Sequence, residues 1–144
     1  MRSVVRLIIA ALYMAGCAGP GAESQPLASA ADAAATLAKV SANSGIDYQE
    51  AKGLTDVYFA TFLSGCGFAD GPTLRQGIWR SRARVGYAGE LLPGAIEVNA
   101  ETGGIGYAGC PVFRNVEELR AAVERAWREP QQGPPCWARN RTAG

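Results

Sequence analysis

Ile78-Trp79-Arg80-Ser81-Arg82-Ala83-Arg84-Val85-Gly86-Tyr87 opens the stretch that decides the fold, and Gly94-Ala95-Ile96-Glu97-Val98-Asn99-Ala100-Glu101-Thr102-Gly103-Gly104-Ile105-Gly106-Tyr107 continues it. Side chains alternate between the two faces of a strand. That period puts Trp79, Ala83, Val85 and Tyr87 on one face, and Arg80, Arg82 and Arg84 on the other. Ile96 and Val98 repeat it, as do Ile105 and Tyr107. Thr102-Gly103-Gly104 supplies residues that tolerate the positive φ of a tight hairpin. The region Ile78 to Val112 therefore reads as an antiparallel sheet with one apolar and one charged face.

Helix signals flank it. Ser29 with Asp32 three residues on marks the start of a short helix over Ser29 to Asn43, with a narrow stripe from Leu37 and Val40. Asp47 and Glu50 form a capping box for a stronger helix over Asp47 to Ser64. Ile46 and Ala51 sit where a hydrophobic staple places them. Leu54, Val57, Tyr58, Thr61 and Phe62 recur at helical spacing, and Gly65 suits the end. Gly53 inside this helix marks close packing or local weakness, since glycine there costs about 1 kcal/mol. Asn115 and Glu118 start a third helix, whose face is Val116, Leu119, Ala122, Val123, Ala126 and Trp127, and Pro130 ends it. Cys66 to Gly77 reads as a loop. The expected fold is α+β: one antiparallel sheet of three or four strands, with helices on its apolar face. Trp79, Val85, Tyr87, Ile96, Val98, Ile105 and Tyr107 are expected in the core with Leu54, Tyr58, Phe62, Leu119 and Val123.

The start of the chain has the parts of an export signal over residues 1–16. Arg2 and Arg6 form a positive n-region, and Leu7 to Ala15 is apolar but too short to span a bilayer as a helix. Met14-Ala15-Gly16-Cys17 resembles the lipobox of bacterial lipoproteins, usually Leu-Ala-Gly-Cys. The resemblance implies cleavage before Cys17 and acylation of its thiol. Ala18 after that cysteine is similar to the outer-membrane sorting pattern of enterobacterial lipoproteins, which implies an anchor facing the periplasm. Residues 17–30 carry a tether rich in Ala, Gly, Ser and Pro, with a reach of roughly 20 Å. Residues 31–130 make the α+β domain, and residues 131–144 an irregular tail in which Cys136 and Trp137 have the chemistry to dock.

Composition limits the chemistry. Hydrophobic residues are 48% of the 144, which excludes wholesale disorder. Without residues 1–16 the chain carries 12 basic and 13 acidic side chains, a balance of −1 that gives no general attraction to nucleic acid. Histidine is absent, which removes the commonest general base and metal ligand and every Ser-His or Cys-His pair. No Cys-x-x-Cys occurs, and no metal or cofactor site is expected. Cys66, Cys110 and Cys136 allow three single bridges in an exported chain. We expect Cys66 with Cys110, because one follows the main helix and the other ends the last strand that helix should cover. That bridge would close about 45 residues and contribute roughly 3–4 kcal/mol.

Gly104, Gly106 and Gly109 satisfy Gly-x-Gly-x-x-Gly, but a hairpin turn precedes them and Cys110-Pro111 follows where a dinucleotide site needs a helix. Glu90, Glu97 and Glu101 have no spacing that demands paired carboxylate catalysis. Ser64 and Ser81 lack a nucleophile-elbow context. Arg80, Arg82 and Arg84, with Arg75 upstream, are the most distinctive polar feature. Either they are a solvated face partly balanced by Glu97 and Glu101, or they meet an anionic partner: an acidic protein, lipid headgroups or a polyanion.

From Ile46 to Tyr107 the order helix, Trp-bearing strand, then Ile96-Glu97-Val98-Asn99-Ala100-Glu101-Thr102-Gly103-Gly104-Ile105 resembles PepSY-like modules of exported bacterial proteins. Those carry a Val-Asp-x-x-Thr-Gly-x-Val hairpin; Asn99 stands in place of the Asp. Small NTF2-like immunity domains end in a similar hairpin. The resemblance implies a non-catalytic, protein-binding or inhibitory role. A structural envelope lipoprotein and a carboxylate-dependent hydrolase are the alternatives.

Overall fold

A computed structural model describes residues 27, 29–41, 44–129 and 131–139; the expected signal, Cys17, most of the tether and Pro130 lie outside them. The order of elements is α1 (Ala30–Ala38), α2 (Tyr48–Tyr58), β1 (Gly67–Ala69), β2 (Thr73–Arg75), β3 (Ile78–Ser81), β4 (Ala83–Val85), β5 (Glu90–Leu91), β6 (Ile96–Asn99), β7 (Gly103–Gly106), β8 (Phe113–Asn115), α3 (Val116–Arg128) and the short α4 (Cys136–Arg139). The class is α+β, as expected, but the sheet is larger. Five strands pair in the order β2-β3-β6-β7-β8 and three more in the order β1-β4-β5, all antiparallel.

The three helices expected from the sequence start at their expected caps. The Ser29 hydroxyl accepts from the Asp32 N–H at 3.2 Å. Asp47 accepts from the Glu50 N–H at 2.8 Å while Glu50 accepts from the Asp47 N–H at 2.9 Å, a complete capping box. Glu50 also accepts from the Ser41 N–H at 2.8 Å, which ties the segment after α1 to the start of α2. Asn115 accepts from the Glu118 N–H at 2.9 Å, but Glu118 reaches past the cap to the Arg114 N–H at 2.9 Å. α2 does not run unbroken to Ser64. Its last turn, Phe59–Leu63, widens to π geometry, with the Ser64 N–H bonded to the Phe59 carbonyl at 2.9 Å.

Helices α2 and α3 cover one face of the five-stranded sheet, and α1 packs against both helices. Leu54, Val57 and Tyr58 of α2, Leu119 and Val123 of α3, and Leu37 of α1 are buried with Ile96, Val98 and Ile105. Each such side chain contributes about 1.5–3 kcal/mol when fully buried. Gly53 marks close packing: a Cβ there would stand 3.0 Å from the Thr36 methyl of α1. Gly103 begins β7 at φ 71°, and a Cβ on it would lie 2.6 Å from Val116. Tyr58 is fully buried, and its hydroxyl donates to the Pro111 carbonyl at 2.5 Å and accepts from the Tyr107 N–H at 3.1 Å.

Four expectations are corrected. The segment Cys66 to Gly77 is not a loop throughout, since it holds β1 and β2. β2 returns to β3 through Gln76 (φ 51°) and Gly77 (φ 74°), a two-residue left-handed turn that matches strand twist. Tyr87 is 85% exposed and not in the core, because β4 ends at Val85 and Gly86, at φ 72°, turns the chain before the alternation reaches it. Trp79 is half-buried against the core, and its indole N–H donates to the Ile46 carbonyl at 2.9 Å. The bridge expected between Cys66 and Cys110 is replaced by Cys110–Cys136, with Cα atoms 5.1 Å apart.

That bridge makes part of the tail a fixed element. Cys136 is buried at the start of α4, and the Trp137 indole N–H donates to the Leu63 carbonyl at 2.8 Å. The last carbonyls of a helix lack partners within it, so the end of the π turn offers this acceptor.

Tyr58→Phe should leave the Tyr107 N–H and the packing intact but delete both hydroxyl bonds, lowering unfolding free energy by about 2 kcal/mol in urea titration with an unchanged m-value. Non-reducing peptide mapping should recover Cys110 joined to Cys136. Cys136→Ser should cost about 3 kcal/mol, because the bridge spans 26 residues.

Candidate partner-binding face

Arg80, Arg82 and Arg84 lie on the outward side of one bent strand. β3 belongs to the five-stranded sheet and β4 to the three-stranded one, and the chain passes between them at Arg82. The alternation survives the passage: Ser81, Ala83 and Val85 are buried inward. Side-chain exposures of 41%, 59% and 31% for Arg80, Arg82 and Arg84 place the guanidinium groups at the surface.

Acids meet the row at two points. Glu97 is the cross-strand neighbour of Arg80 and accepts from its Nε at 2.9 Å. Asp70 serves both other arginines: its Oδ1 accepts from Arg84 Nε at 3.2 Å, and its Oδ2 lies 3.6 Å from Arg82 Nε. Three cations therefore share two carboxylates. Arg75, exposed on the edge strand β2, forms no ion pair among the described residues and adds to the surplus. Glu97 balances the row as expected, but Glu101 sits in the hairpin, where its N–H donates to the Asn99 side chain at 2.8 Å. Asp70 was not foreseen. It follows β1, whose pairing with β4 (Ala69 opposite Ala83) brings it beside the arginines.

The rest of the outer sheet face is a shallow trough of about 710 Å³, bordered by Ile78, Asn99, Val112 and Arg114 and floored by Gly104 and Gly106. Packing requires both glycines. A Cβ on Gly106 would stand 2.8 Å from the Val112 side chain, and one on Gly104 2.8 Å from the Arg114 carbonyl. The Gly-x-Gly-x-x-Gly pattern thus joins a crowded strand to a turn, and β8 follows it instead of a helix.

Of the acids weighed for catalysis, Glu97 is held by Arg80, Glu101 lies in the turn, and Glu90 is exposed on β5. Asp56 is the one carboxyl whose proton affinity is raised among the described residues: burial raises it, while Lys52 at 3.1 Å opposes the shift. It lines a groove of about 470 Å³ between α1 and α2 with Lys39, Gln49 and Glu50, far in sequence from the arginine row. Among the described residues no three of His, Cys, Asp and Glu cluster as metal ligands, and no helix is long and apolar enough to cross a membrane.

Comparison with protein-family models, curated proteins and solved structures finds no match for this chain.

Proposed function

We propose that the protein is a non-catalytic cell-envelope lipoprotein, anchored through acylated Cys17 at the periplasmic side of the outer membrane. Its small α+β domain binds or inhibits an acidic protein partner, in the manner of PepSY-like or immunity-like modules. The observation that carries this reading is the arginine row: among the described residues Arg80, Arg82 and Arg84 share Glu97 and Asp70 as ion-pair partners, and no described helix packs substantially on β3 or β4. Exposed ion pairs contribute about 0–1 kcal/mol each, so stability alone gives little reason for this row. Oriented cations on one face steer and select an acidic partner.

Replacing Cys17 with Ser should release the protein from membranes; unchanged retention removes the anchor. Affinity capture from envelope extract, comparing wild type with Arg80, Arg82 and Arg84 all changed to Ala, should lose specific proteins in the variant. Identical captured sets would remove the arginine face as the binding surface.

A further inference from the structure

We infer that the partner presents an extended acidic segment, with two carboxylates at alternate residues and an apolar side chain on the same face, to Arg82, Arg84 and Leu91. This deepens the binding reading above and rests on it.

The geometry of the arginines carries the inference. Asp70 is closest to Nε of both Arg82 and Arg84, and the terminal nitrogens of neither guanidinium make a hydrogen bond among the described residues. The carboxylate thus hydrogen-bonds Arg84, stands at ion-pair distance from Arg82, and leaves the ends of both forks for a second acceptor. A guanidinium end is planar and matches a carboxylate with two parallel bonds. The two arginines sit two residues apart on one side of the strand, so their origins are separated by roughly 6–7 Å. An extended partner with acids at alternate positions has the same repeat, and adjacent acids point to opposite faces.

Beside this pair lies apolar surface. Leu91 is the cross-strand neighbour of Arg84 and is 41% exposed, and Tyr87 stands exposed at the turn joining β4 to β5. The charges and the apolar patch therefore recur in a fixed order across two neighbouring strands. A lipid surface supplies mobile headgroups without a spacing, and it gains nothing from two forks set one strand repeat apart.

The test uses the full chain with Cys17→Ser and two fluorescently labelled peptides of one composition. One is Thr-Glu-Thr-Glu-Thr-Leu-Thr; the other, Thr-Glu-Glu-Thr-Thr-Leu-Thr, has adjacent acids. The alternating peptide should bind roughly tenfold tighter, with an advantage that shrinks at high salt. Arg82→Gln with Arg84→Gln should erase the advantage. Arg82→Lys with Arg84→Lys keeps the charge and loses the fork; it should erase it too, which covers the case in which the neutral pair fails to fold. Arg75→Gln should change binding by less than about twofold. Equal affinity for both peptides would overturn the inference, as would full retention of the advantage in the lysine variant. Retention on phosphatidylglycerol vesicles without discrimination between peptides would likewise overturn it, in favour of a lipid surface. If envelope capture still depends on the arginines while the peptides bind alike, the binding reading stands and this one falls.

Discussion

The Tyr58 hydroxyl is the polar contact on which the packing of the domain depends. It lies where the helix layer meets the sheet and answers two backbone groups from different segments: the Tyr107 N–H just past β7 and the Pro111 carbonyl before β8. Burial pushes the phenol's pKa up from its ordinary value, although the Tyr107 bond opposes the shift, so the group stays a neutral donor across the physiological range. A buried backbone N–H without a partner costs about as much as a lost hydrogen bond, so the strand cannot end there cheaply unless the tyrosine is present. The link runs on through covalent and polar contacts. Pro111 adjoins Cys110, Cys110 is joined to Cys136, and Trp137 returns a hydrogen bond to Leu63 at the end of the α2 helix. The path from Tyr58 closes on its own helix, and this closure fixes the place of Cys136 and Trp137 within the tail.

The division of the sheet follows from a different constraint. A strand that left the five-stranded sheet by twisting over would carry its charged face into the core. Here the bend at Arg82 keeps the alternation in phase, because Ser81 and Ala83 both point inward on either side of it. Small side chains at these two positions let the inner face turn without a clash. The outer face consequently bears one continuous row of cations across two sheets, and each sheet supplies its own acid: Glu97 from β6 and Asp70 from the end of β1.

What the sequence made legible is what local chemistry decides. The caps at Ser29, Asp47 and Asn115, the face of α3 and the β6–β7 hairpin each depend on residues a few positions apart, and all appear where expected. Three-residue strands leave too few positions for a period, so β1 and β2 read as part of a loop from Cys66 to Gly77 marked by Gly67, Gly71 and Pro72. Tyr87 continued an alternation that the backbone had already abandoned at Gly86. The cysteine pairing failed for a topological reason. Proximity of Cys66 to Cys110 was inferred from one helix lying over one sheet, but β8 and α3 intervene before the chain returns, and α4 packs against the π turn beside Cys110. In the candidate site the arginines were visible from their spacing, and Glu97 from the sheet. Asp70 needed the β1–β4 pairing, which no periodicity announces.

The energetics of the arginine face set what kind of contact it supports. Arg82 and Arg84 remain 59% and 31% exposed, so both are hydrated before a partner arrives. Charge pairs formed at such a surface contribute little net free energy, because the attraction is screened and each ion gives up water. They act on encounter rate and on rejection of wrong partners more than on affinity. Tight association on this face therefore needs apolar burial next to the charges. Leu91 and Tyr87 provide it beside the arginines: removing apolar area from water gains about 25 cal/mol per Å² before the costs of association are met, without the desolvation cost a buried ion carries. A partner that matched the arginines but offered only polar side chains to Leu91 would associate quickly and leave quickly. For a partner of the proposed kind, the position of its apolar residue relative to its acids would govern residence time, and the acids which surface is tried first.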